Sequence, residues 1–240
     1  MKDLTKGKPS TLILAFALPI FFANLLQLTY SLVDTRIVGT FLGEDALAAV
    51  GATTTLSNLI VGFLQGLSGG FAIIIAQKFG AKDYKNVKKS FAMSLTMGTG
   101  IAIFFTVFGL LFLQPILNIL NVPADLMATA KSYIFVIIAG LVATFLYDAC
   151  AAALRSLGDT VTPLVILAIS VALNIVGDLL FVVVLKSGVR GAAIATVLAQ
   201  AIAFVVCWIY MVKRYELLRL SREDFKDPNP VMVKNMLGAG

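Results

Sequence analysis

Long apolar runs at 11–40, 46–76, 90–117, 131–153, 163–185 and 191–212 alternate along this chain with short polar stretches. Each is at least as long as the roughly 20 residues a helix needs to cross about 30 Å of hydrocarbon. The pattern predicts an all-α membrane protein with a bundle of six transmembrane helices. The first run is too long for the core of a signal peptide, so it reads as a helix of the bundle. Gly43–Asp45, Lys78–Lys89, Gln114–Ala130, Leu154–Pro163 and Lys186–Gly191 are the predicted connections. Residues 1–10 form a polar, basic amino terminus, and 213–235 form a charged linker containing Pro228 and Pro230. Apolar residues resume at 236–240, which reads as the start of a seventh helix in a longer natural chain.

Polar residues inside these runs carry the functional information. In the first, Gln27, Tyr30, Ser31 and Asp34 follow the i, i+3, i+4, i+7 rule and form one polar stripe, which a wholly lipid-facing helix would not carry. Pro19 removes a backbone hydrogen bond from the same helix and predicts a kink. Gly62, Gly66 and Gly70 of the second run have the small-xxx-small spacing that lets helix backbones approach closely in lipid. Asp148 lies in the fourth run, Asn174 and Asp178 one turn apart in the fifth, and Thr196 in the sixth. An ionised carboxylate in hydrocarbon costs at least a few kcal/mol unless it meets water, a cation or a proton, so intramembrane acids mark ion or substrate paths.

Composition agrees with a polytopic membrane protein. The chain is 59% hydrophobic with mean hydropathy +0.95, and only 13% of its residues are charged, against about 25% in soluble domains. The net charge of +6 is informative through its placement. Six spans put the amino terminus and the loops after helices two, four and six on one side. That side holds Lys2, Lys6, Lys8, the five lysines of 78–89, Arg155 and the basic residues of 213–226. Cytoplasmic loops carry such an excess, so both ends are expected in the cytoplasm. The basic clusters abut apolar runs without interleaved exposed aromatics, which points to a membrane surface and not to nucleic acid. The absence of histidine removes Ser-His and zinc-protease mechanisms, and the absence of a phosphate-binding glycine loop removes an in-chain ATPase. Cys150 and Cys207 both fall in predicted spans and read as packing residues.

Orientation gives depth. Counted from the outer helix ends, Asp34, Asp178 and Thr196 all lie roughly 7–11 Å in. Asn174 and Asp148 share a level one turn deeper. The five form a column of oxygen ligands expected to face one cavity, with Gln27, Tyr30 and Ser31 as candidates for substrate contact. Three carboxylates in one low-dielectric cavity cannot all stay ionised without a cation. A proton or a sodium ion is therefore expected there, with sodium placed at Asp34, Asp178 and Asn174, and no other cofactor. Competition between that ion and a substrate is the logic of an antiporter. The same residues leave two alternatives open, an intramembrane enzyme using paired aspartates and a hydrogen-bonded structural network.

Four segments in order, LPIFFANLLQLTYSLVDTRIVGTFLGEDALAAVG, LRSLGDTVTP, NIVGDLLF and GAAIATVLAQ, resemble the multidrug and toxic compound extrusion (MATE) family over nearly all of residues 10–240. The resemblance implies a twelve-helix transporter of two six-helix lobes, exporting drugs or other small organic, often cationic, compounds by alternating access. This chain matches the first lobe. Asp34, Asn174, Asp178 and Thr196 then match the family's amino-terminal cation site, and Asp148 stands where family members often carry asparagine. The implied setting is a bacterial inner membrane, and the implied partner a second lobe or a second copy. A lipid-linked sugar flippase, built in a similar helical style, would be expected to carry several Arg or Lys for phosphate in its cavity.

Overall fold

The computed structural model describes residues 9–225 together with Met236 and Gly238. Residues 1–8, and the predicted linker and seventh-helix start beyond 225 apart from those two positions, lie outside the described residues. The helices are α1 (Pro9–Leu42), α2 (Glu44–Gly80), α3 (Tyr84–Leu111), α4 (Leu113–Ile119), α5 (Met127–Ala139), α6 (Leu141–Ser156), α7 (Val161–Asp178) and α8 (Gly188–Arg214). No strand occurs among the described residues. Five helices are long and apolar enough to cross a membrane, and the α5–α6 pair, bent by 45°, makes a sixth span. The chain is an all-α, multi-pass membrane protein.

The helix ends differ from those read off the sequence where local chemistry competes with hydropathy. The lysine-rich stretch 78–89, expected as a connection, is helical except at 81–83. Asp83 starts α3 by accepting from Asn86 N–H at 3.4 Å and from its Nδ2 at 2.6 Å, so the first turn of α3 is a solvated basic turn. The Asn86 amide holds the Asp83 carboxyl below its ordinary value. The third helix, expected to reach Leu117, breaks at Phe112, because Pro115 has no N–H to donate to the carbonyl of Leu111. The fourth, expected as one helix over 131–153, bends at Gly140, where an added Cβ would collide with the side chain of Val197. The fifth continues past Asp178 as a π-helical segment, Leu179–Val184, closed by Leu185 N–H donating to Leu180 O at 2.8 Å. By contrast α1 runs through Pro19 as a single helix.

α6 sits centrally and packs on α2, α3 and α8, while α7 packs on α8 and α1. Phe91, Phe145, Ile134, Ile138, Cys150 and Cys207 are buried in the principal core. A smaller cluster of Ile37, Val38, Ala46, Val182, Val189 and Ala192 closes the end where α1 meets α2 and the π segment meets α8. α1 lies at the perimeter, with Leu14, Phe21, Leu28 and Leu32 all exposed. At the opposite end Asp159 accepts from Thr162 N–H (3.0 Å), Thr162 Oγ1 (2.7 Å) and Tyr215 Oη (2.6 Å), tying the start of α7 to the residue after α8. Burial first, and the Asp159 carboxylate after it, push the Tyr215 phenol above its ordinary value, so it stays a donor.

Of the three spaced glycines of the second run, Gly70 is buried, and the other two are not at a close approach. Gly62 and Gly66 are exposed, and a Cβ added at either meets nothing within 4 Å. A Cβ at Gly98 of α3 would instead strike the ring of Phe145 on α6. Overpacking of this kind costs about 1–3 kcal/mol. Gly98→Ala is therefore expected to lower the thermal unfolding temperature of the detergent-solubilised protein, and Gly62→Ala to leave it unchanged or raise it. Equal effects of the two would contradict the seam.

Candidate functional site

Three helices bring polar groups together. On α1, Tyr30 and Asp34 are one turn apart. On α7, Ser170, Asn174 and Asp178 recur every fourth residue and are all buried, Asp178 completely so at 0% exposure. On α8, Thr196 faces them. The α7–α8 seam is tight here, since a Cβ at Gly177 would lie 2.9 Å from the Cβ of Ala195. Ser170 closes the lower part of the seam by donating to Ala199 O at 3.2 Å.

The hydrogen bonds form a directed chain. The Asn174 amide is satisfied at both ends when its NH2 faces Asp178. Nδ2 then donates to Asp178 Oδ2 at 3.1 Å, while Oδ1 accepts from Thr196 Oγ1 at 3.3 Å and from Thr196 N–H at 3.2 Å. The Thr196 hydroxyl proton has two acceptors in reach, the Asn174 oxygen and Ala192 O at 3.2 Å, and with either one the hydroxyl oxygen accepts from Tyr30 Oη at 3.0 Å. Tyr30, Thr196, Asn174 and Asp178 thus hand donors in one direction, from α1 through α8 to the carboxyl on α7.

The Asp34 side chain lies within hydrogen-bonding reach of the Asp178 carboxyl. Ionised carboxylates only accept, so a bond between them requires one proton. Oδ1 of each is buried without a partner among the described residues. Tyr133 of α5 also acts electrostatically with Asp34, Tyr30 and Asp178. It escaped the sequence reading; the available signal was a single tyrosine in an apolar helix, which interfacial anchoring explains equally well.

Other expected members are elsewhere. Asp148 lines a separate cavity of about 270 Å³, with Gln27, Gln65, Ser68 and Arg155, which Asp34, Asn174, Asp178 and Thr196 do not line. Depth along the membrane normal carries no information on azimuth, and α6 turns Asp148 toward α2 and the start of α7. Ser31 is exposed on α1, with its carbonyl accepting from Thr35 Oγ1 at 2.7 Å. The polar stripe of α1 is therefore divided three ways: Gln27 to the cavity, Tyr30 and Asp34 to the carboxyl pair, Ser31 to the open face. No group of three or more His, Cys, Asp or Glu stands together among the described residues.

Residues 19–180 match the MatE family profile, and the chain belongs to that family of membrane transporters. It is 31% identical over 211 residues to the probable multidrug resistance protein YpnP of Bacillus subtilis, covering 88% of this chain and 47% of that protein. A crystal structure of MATE in the straight conformation superposes with a TM-score of 0.91 at 26% identity, covering 99% of this chain and 53% of that one. A MOP-superfamily transporter from Pyrococcus furiosus gives a TM-score of 0.92 at 26% identity, covering 99% and 52%. The chain spans about half the length of the relatives it matches.

Thr196 is the joint of the chain, touching α1 and α7 together. Thr196→Ala is expected to cost about 1–3 kcal/mol through the groups it strands, read as a fall in unfolding temperature. Thr196→Ser is expected to retain most of it; an unaffected Thr196→Ala protein would remove the hydroxyl from the network.

Proposed function

We propose that this lobe works in a cation-coupled antiporter that exports small organic, often cationic, compounds across a bacterial cytoplasmic membrane. The observation that carries the reading is the Asp34–Asp178 pair, a half-buried and a fully buried carboxyl within hydrogen-bonding reach of each other, each with a buried Oδ1 that accepts from no donor among the described residues. An ion entering the pair changes the charge of a low-dielectric site, and a cationic substrate nearby is favoured when that charge is negative. Exchange follows, because each cation weakens the binding of the other.

A proton is the ion that the arrangement supports best. It needs one oxygen and leaves every hydrogen bond of the chain in place. Sodium at Asp34, Asp178 and Asn174 needs an amide oxygen, and the Asn174 oxygen already accepts twice from Thr196. The amide would have to turn over and give up its bond to Asp178. Gln27 is the substrate contact supported by position, since it lines a cavity.

Alternating access needs two bodies rocking about a site between them. We therefore place a second lobe, or a second copy, against the exposed polar face of α1 that carries Ser31. The lysines of 78–89 and the basic residues after α8 orient the shared end of α2, α6 and α8 toward the cytoplasm.

Vesicles holding the transporter with both lobes test this directly. A pH gradient imposed in sodium-free buffer is expected to drive substrate export, and Asp34→Asn or Asp178→Asn to abolish it. Undiminished coupled export in either variant would sink the assignment, and export that requires sodium would replace the proton.

A further inference from the structure

The lobe holds a second polar region, whose cavity the carboxyl pair does not line. Its cavity of about 270 Å³ lies between α1, α2, α6 and α7, at the end of the bundle where α6 stops and α7 starts. That volume accommodates several waters at roughly 30 Å³ each. Oδ2 of Asp148 and Oγ of Ser68 are buried without partners among the described residues, and Ser68 is only 3% exposed. Two buried polar atoms without protein partners on one cavity large enough for water mark a place where a proton can be exchanged with it.

The charges around Asp148 are few. Arg155, seven residues on and so on the same face of α6, is the charged group that acts on it; neither Asp34 nor Asp178 does. The lining groups from α1, α2 and α7, together with Thr160, carry no charge. α3 and α8, which also pack on α6, contribute no charged group to the cavity, and Tyr147, next to Asp148 on α6, is its other titratable lining group.

We infer that Asp148, with Arg155 as its counter-charge, is a second proton-binding site, independent of the Asp34–Asp178 pair and nearer the lysine-rich end of the lobe. A metal cation fits poorly here. It would need several oxygen ligands around a single carboxylate and would sit beside a guanidinium that repels it. A proton needs one carboxyl oxygen, and Gln27, Gln65 and Ser68 can hydrogen-bond to either form of the acid. Arg155 offsets the negative charge when the proton leaves, which limits the cost of an ionised carboxylate at this depth. The inference rests on the exchange reading for its purpose, giving the lobe an inner proton station below an outer one, but its evidence is separate.

Infrared difference spectra of the protein in lipid nanodiscs, stepped in pH, follow the C=O bands of protonated carboxyl groups. Asp148→Asn is expected to remove one titrating band and leave that of the Asp34–Asp178 pair in place, and Asp34→Asn to leave the Asp148 band in place. Arg155→Gln is expected to displace the Asp148 titration alone, and exchanging potassium for sodium to leave it unmoved. Should Asp148→Asn fail to fold, Arg155→Gln identifies the same band. Three results overturn the inference: no band lost in folded Asp148→Asn, an Asp148 band that shifts with sodium, or one that shifts in Asp34→Asn. Failure of the exchange reading would instead appear as gradient-independent flux in vesicles, which these spectra do not measure.

Discussion

Asp34 and Asp178 lie within hydrogen-bonding reach of each other inside the bundle, and two carboxyl groups so placed repel each other when both are ionised. That constraint reaches well beyond the pair. Lipid tails are as apolar as leucine, so no hydrophobic force presses a perimeter helix such as α1 onto the bundle; packing and hydrogen bonds must hold it. α1 is held by the acid contact to α7, the Tyr30–Thr196 bond to α8, and the apolar cluster around Ile37 and Val38. A change in the charge of the pair is therefore a change in what fastens α1. The helix most exposed in the lobe is the one tied most directly to its titratable centre.

The backbone around the pair is shaped to serve it. Gly177 lets α7 close on Ala195, which sets Thr196 beside Asn174. Directly after Asp178 the helix widens into a π segment, a feature often found at functional sites. Gly191 completes the arrangement, since a Cβ there would press on Phe181 in that segment. Small residues act here as seams between helices, and they are spent where polar groups have to meet.

Two acids of the same lobe end up in different surroundings for the same reason. Asp178 is met by another carboxyl and by the Asn174 amide. Asp148, on a neighbouring helix, shares a cavity with the Arg155 guanidinium and uncharged polar groups. Burial is common to both, but only the first is coupled to a second acid. The division of labour proposed for them follows from those neighbours.

Much of this was legible in the chain itself. Hydropathy periods locate the spans, because every backbone polar group in lipid must be satisfied within a helix. The i, i+3, i+4, i+7 stripe of α1 and the Asn174–Asp178 turn mark polar faces, because a helix repeats every 3.6 residues whatever it packs against. Depth counting put Asp34, Asp178 and Thr196 at one level for the same reason. Rotation about the helix axes was decided by packing: the sequence could not tell that Asp148 shares a cavity with Arg155 and Gln27, or that Ser31 stays on the open face. The bend at Gly140, the π segment after Asp178 and the seam at Gly98 were likewise hidden. Each depends on which side chain of another helix arrives opposite, and a linear pattern carries distance along a helix but not the identity of the neighbour across from it.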